Sequence, residues 1–201
     1  MPSERSEPLS DADRRLLLEH ARAAVLSKVG DGADRDEDAH GHRPVAPALS
    51  APGAAFVTLH VGGALRGCIG TVERRRALWA VVGEMAGAAA TRDPRFPPID
   101  VSDLSEMTVE ISVPTPDVVI HRPEGIEIGR HGLDVRRGDA RGLLLPQVAV
   151  EHGLDREKFL AATCRKAGLP ADAWHDADTE IRVFEADVIG DDGAAAASPR
   201  D

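Results

Sequence analysis

Phe56-Val57-Thr58-Leu59-His60-Val61-Gly62-Gly63-Ala64-Leu65-Arg66-Gly67-Cys68-Ile69-Gly70 is the stretch that decides the fold. Aliphatic and polar residues alternate in two arms, Phe56–Val61 and Leu65–Val72, on either side of a glycine pair. Period-two alternation around such a dipeptide predicts a β-hairpin. A three-residue loop, Gly62-Gly63-Ala64, pairs Val61 with Leu65, Leu59 with Gly67 and Val57 with Ile69. Thr58, His60, Arg66 and Cys68 then share the opposite face. A two-residue loop sets Arg66 and Cys68 beside Leu59 and Val57, which buries a guanidinium among aliphatics at a cost of several kcal/mol. The three-residue register is therefore preferred.

Upstream of the hairpin, Ser10-Asp11-Ala12-Asp13 has capping-box spacing, and Leu17, Leu18, Ala21, Ala24, Val25 and Val29 recur at helical spacing. This predicts a helix stopped by Gly30. Residues 31–43 are acidic and nearly free of aliphatics, a composition that cannot offset its ordering entropy, and are expected to form a mobile loop. Pro44, Pro47 and Pro52 are expected to keep the next segment extended.

Downstream, Ala77–Thr91 predicts a helix with Leu78, Val81, Val82, Met85 and Ala89 as its buried stripe, ended by Asp93-Pro94. Met107–Val113 alternates as a strand. Val118–Ile120, Ile126–Ile128, Leu133–Arg136 and Leu143–Leu145 are shorter strand candidates, with a turn over Gly138–Gly142. Pro146 opens a helix to about His152, and Asp155 caps another running to about Gly168. Thr179–Ile189 reads as one closing strand. Strands mostly follow strands, so the expected class is α+β, a mostly antiparallel sheet flanked by helices. One domain is expected over 9–189, with no second core and a disordered tail at 190–201.

Composition excludes several roles. The net charge of −10 has no one-signed basic face, which disfavours nucleic acid while leaving room for a small basic pocket. No apolar run is long enough for a spanning helix, and the N-terminus has no signal-peptide core. Two cysteines do not make a disulfide scaffold, so a cytoplasmic, reduced protein is expected.

Arg66-Gly67-Cys68-Ile69-Gly70 is odd for a strand, because two glycines weaken it and mark a bulge or a close backbone approach. Cys68 is a candidate nucleophile, with Arg66 beside it holding an anion and His60 or Glu110 as the proton-transfer group. The bland alternative is a buried, inert thiol, with Arg66 tied to a structural carboxylate. Asp93 and Arg95 are further charged candidates, Glu110 being a possible partner for Arg66 or Arg95. Gln147 lies in the first turn of the Pro146 helix, whose amides favour an anion. No close-spaced cysteine pair or glycine-rich phosphate loop is present, so no metal or cofactor is expected.

Leu65-Arg66-Gly67-Cys68-Ile69-Gly70 resembles the signature hexapeptide of the AMMECR domain family, known in prokaryotes as AmmeMemoRadiSam system protein A. Ala55–Leu59, Asp93-Pro94-Arg95-Phe96, Glu110–Val113, Gly142–Ala149 and Cys164–Leu169 resemble the family pattern as well. The resemblance implies an antiparallel α+β fold with a larger and a smaller subregion, and the hexapeptide beside a cleft. It also implies a shared pathway with a Memo-like protein and a radical SAM protein. An enzyme or enzyme subunit is then expected, in which Cys68 acts on a small anionic or partner-bound substrate positioned by Arg66 and Lys166. A non-catalytic module docking onto those partners, with Gly67 and Gly70 allowing close backbone contact, is the rival expectation.

Overall fold

The computed structural model describes residues 9–30 and 46–191. They form two compact units, one made of Pro114–Asp187 and the other of the described residues up to 113 together with 188–191. The expected loop over 31–43 lies outside the described residues, as does the tail from 192 onward.

The larger unit opens with helix α1 (Asp11–Val29). The Ser10 hydroxyl accepts from the Asp13 amide at 3.2 Å and the Asp13 carboxylate accepts from the Ser10 amide at 3.1 Å, the expected capping box. Gly30 ends the helix with φ −73°, an extended cap rather than a left-handed one. The segment expected to stay extended contains a short helix, α2 (Pro47–Ser50), because Pro47 occupies the first turn, where its missing N–H is no loss. Helix α3 (Leu78–Thr91) buries the predicted stripe and adds Ala86, Ala88 and Ala90. Strands β1 (Ala55–Val61), β2 (Ala64–Thr71), β3 (Met107–Pro114) and β8 (Ala186–Gly190) make a sheet ordered β2-β1-β3-β8. Val57, Leu59, Val109 and Ile111 pack with α1 and α3 in one core. Near the end of β3 the alternation slips, since Ser112 is buried and Val113 is only half-buried.

The hairpin follows the preferred register over most of its length, with Val57 opposite Ile69 and Leu59 opposite Gly67. At the tip it departs from it. Val61 faces Ala64 and His60 faces Leu65, so the loop is the two residues Gly62 and Gly63, at φ 56° and 79°. Two positive φ values suit a tight turn that matches strand twist. The register shift between Leu59 and His60 leaves Arg66 as the extra residue of a β-bulge. The bulge joins the tighter turn to the core register without sending Arg66 into the aliphatics.

The other unit holds β4 (Val118–Ile120), β5 (Gly132–Arg137), β6 (Ala140–Leu144) and β7 (Glu180–Phe184), ordered β4-β7-β5-β6. Helices α4 (Pro146–Glu151) and α5 (Arg156–Lys166) accompany them. The reading that saw no second core is corrected: Ile126, Leu133, Ala149, Phe159, Leu160 and Ile181 form a separate buried cluster. Ile126–Ile128 is not a strand. Ile126 instead caps a one-turn 3-10 helix and buries its side chain. The turn between β5 and β6 narrows to Gly138-Asp139. The single closing strand expected over Thr179–Ile189 is two strands, β7 and β8, in different sheets. They part at Glu185, whose amide donates to the Thr115 hydroxyl at 2.9 Å and whose carbonyl accepts from the Thr115 amide at 2.7 Å. The fold is α+β, and the β1–β2, β1–β3, β4–β7, β5–β6 and β5–β7 pairings are antiparallel.

Candidate functional site

Strand pairing assembles the group around Cys68. Cys68 on β2 faces Thr58 on β1, and Thr58 faces Glu110 on β3. Three polar side chains therefore stand in one row across the sheet, on the face opposite Val57, Leu59 and Ile111. The Thr58 hydroxyl donates to Cys68 Sγ at 3.3 Å. Glu110 is two strand spacings from Cys68, roughly 9–10 Å. Cys68 is half-buried, not sealed, whereas Cys164 is 0% exposed, and both thiols are free. Burial pushes the Cys164 thiol up from its ordinary pKa, the mark of an inert core cysteine.

A second device grips the main chain at Cys68. β2 lies at the sheet edge, so alternate residues turn their N–H and C=O away from β1. At Cys68 these groups are taken by side chains. The amide donates to Asp93 Oδ2 at 2.8 Å, and Arg95 Nη2 donates to the carbonyl at 3.4 Å. Asp93 is 5% exposed and also accepts from Arg95 through Nη2 at 2.7 Å, Nε at 3.0 Å and the amide at 3.1 Å. The Arg95 guanidinium, with the Cys68 and Arg95 amides, outweighs burial and holds the Asp93 carboxyl well below the usual range. Four donors thus converge on the two Asp93 oxygens, and with Arg95 it stands where a neighbouring strand would bond Cys68. The Arg95 side chain also interacts with the Cys68 side chain; it is 56% exposed, with the guanidinium 5.2 Å over Phe96.

The other expected residues divide. Arg66 pairs with Asp103 at 3.0 Å, both about one-fifth exposed, so the structural-carboxylate alternative describes it and the bulge is tied to the 3-10 helix Val101–Glu106. His60 faces Leu65 and Thr108 rather than Arg66, a correction caused by the bulge, and makes no hydrogen bond among the described residues. The two glycines are packing residues here. A Cβ on Gly67 would lie 2.1 Å from the Ala89 carbonyl of α3, and one on Gly70 would lie 2.2 Å from the Phe56 ring of the facing strand. Gln147 and Lys166 belong to the other unit. Gln147 is half-buried in the first turn of α4, and Lys166 is exposed at the end of α5.

Thr58, placed on the Cys68 face by the sequence but given no role there, and Asp103, not singled out at all, complete the surroundings of β2. Asp103 had a signal in Asp100-Val101-Ser102-Asp103, whose reciprocal caps start the 3-10 helix. Asp134, 0% exposed in β5, was also missed; it receives Arg141 Nη2 at 2.6 Å and Arg136 Nε at 3.1 Å. Burial opposes its ionisation, but the two guanidinium groups win and lower its pKa. Among the described residues no group of three His, Cys, Asp or Glu side chains could hold a metal, and no helix is long and apolar enough to cross a membrane.

The profile of the AMMECR1 family matches residues 18–189. The chain is 43% identical over 192 residues to protein MK0488 of Methanopyrus kandleri, covering 91% of this chain and 90% of that one. It is 43% identical over 191 residues to protein PF1979 of Pyrococcus furiosus, covering 90% and 89%. The crystal structure of the uncharacterized protein PH0010 from Pyrococcus horikoshii superimposes with a TM-score of 0.82 at 38% identity, covering 90% of this chain and 92% of that one.

Proposed function

The chain belongs to the AMMECR1 family, and on that premise we propose that it is an enzyme or enzyme subunit whose reactive group is the Cys68 thiol. The substrate is a small anionic molecule or a group carried by a partner, in a pathway shared with Memo-like and radical SAM proteins. One observation carries the reading: a half-buried thiol receives a hydroxyl hydrogen bond from Thr58 while its main chain is fixed on the other side by Asp93 and Arg95. A donor aimed at sulfur fixes the direction in which the sulfur points, and an accessible, oriented sulfur is what a nucleophile requires. Arg95, 56% exposed and beside the Cys68 side chain, supports an anion-holding role better than Arg66, which is occupied by Asp103. Glu110, two strands from Cys68 across Thr58, handles protons at the far end of a bound molecule or through the Thr58 hydroxyl.

The test is the rate of Cys68 alkylation by iodoacetamide in the native protein at pH 7. We expect Cys68 to react faster than the cysteine of an unstructured peptide, and the rate to fall in Thr58→Val. A rate no faster than the peptide's, unmoved by Thr58→Val, defeats the proposal.

The docking alternative has its own support in Leu65, 39% exposed on an edge strand at the hairpin tip. On that reading Leu65→Glu abolishes co-purification with the Memo-like or radical SAM partner while leaving Cys68 alkylation unchanged.

A further inference from the structure

The unit formed by Pro114–Asp187 contains a hollow of about 1030 Å³. Its apolar part, the floor, is the half-exposed side chains of Ile120 and Trp174, which pack against the second core that holds Leu160 and Ile181, and His121 and His175 line it as well. Its rim is acidic. Asp155, Asp176, Asp178 and Glu180 line it, each within reach of a cation that does not, namely Lys158, Arg137 or Arg182. Glu124 and Glu157 also line it, are exposed, and have no ion-pair partner among the described residues. Arg156 is the one Lys or Arg among the lining residues, and its Nε is turned to the Ile126 carbonyl at 3.2 Å.

We propose that this hollow is a docking groove for a basic, amphipathic peptide segment of a partner protein. The two surfaces ask for two things at once. An apolar floor containing an indole is covered only by apolar side chains or by the stems of long cationic ones, which also stack on aromatic faces. Two unpaired carboxylates at the rim select positive charge by complementarity. A single metal ion or small amine answers the rim and leaves the floor wet. A neutral apolar segment answers the floor and leaves Glu124 and Glu157 desolvated without partners. The volume, at the top of the small-molecule range, has room for several residues of chain. The proposal does not depend on Cys68, so it stands or falls separately from the thiol reading.

The test is fluorescence anisotropy of the whole chain with a labelled eight-residue peptide alternating arginine and leucine. Its counterpart with glutamine for arginine is the control. We expect saturable binding of the basic peptide, at least about tenfold weaker in Glu124→Gln/Glu157→Gln. Because the chain is acidic overall, Glu19→Gln/Asp139→Asn serves as a control of equal charge change, both residues being exposed and unpaired among the described residues. That pair should leave binding within twofold. Equal loss in both double variants, equal binding of the glutamine peptide, or no saturation with the basic peptide each overturns the proposal.

Discussion

Cys68 and Cys164 pose the same question with opposite answers. One sulfur is half-exposed and receives a hydroxyl; the other is wholly enclosed, with its ionisation suppressed by burial. Brief treatment of the native protein with iodoacetamide should add one adduct, at Cys68, with Cys164 modified only after denaturation; peptide mass spectrometry reads the result. Asp93 answers to a different measurement. It is buried and bound to Arg95 and to the Cys68 amide, so Asp93→Ala should cost about 2–4 kcal/mol in urea unfolding at pH 7, through a guanidinium and an amide left without their acceptor. Its pKa is lower folded than unfolded, so its stabilisation is complete above the unfolded value of about 3.9 and fades as pH falls toward the folded one. The gap between wild type and Asp93→Asn should therefore begin to narrow below about pH 5 and go on narrowing to the lowest pH reached, because the unfolded chain takes up the proton there while the folded carboxyl still resists it.

At the scale of elements, two glycines do one job in two places. A Cβ on Gly67 in β2 meets the Ala89 carbonyl of α3 at 2.1 Å, and a Cβ on Gly142 in β6 meets the Ala167 amide at 2.3 Å, beside the end of α5. In each unit an edge strand runs hard against helix backbone, which cannot swing aside as a side chain can. Gly67→Ala and Gly142→Ala should each destabilise by more than about 2 kcal/mol, measured by chemical denaturation. Sequence reading found both hairpins, because strong alternation beside glycine survives any tertiary setting. It did not find the Arg66 bulge, since counting residues across a turn assumes that every residue pairs. Nor did it find the break at Glu185, because Thr179–Ile189 contains neither glycine nor proline and the break is made by Thr115, seventy positions away. For the site, Cys68, Asp93 and Arg95 were legible as unusual residues. That Asp93 and Arg95 also grip the Cys68 main chain depends on β2 being an edge strand, which no local pattern reveals.

Across the whole molecule the apolar residues gather in more than one place, and each unit carries one tryptophan of the two in the chain. Trp79 packs against the core of the larger unit, and Trp174 against those of the other. With Tyr absent, fluorescence reports on these two positions alone. In a Trp79→Phe background, Leu160→Ala should lower the unfolding free energy read by Trp174 by about 2–5 kcal/mol, the usual range for emptying a fully enclosed leucine site. A last consequence follows from the side chains that occupy the outer rail of β2. An open rail on a strand with the small, apolar sequence of residues 67–70 invites a second chain to pair with it, and then a third. Asp93 and Arg95 close that rail at its midpoint, so the ion pair governs how concentrated a solution the protein tolerates before its molecules begin to polymerise.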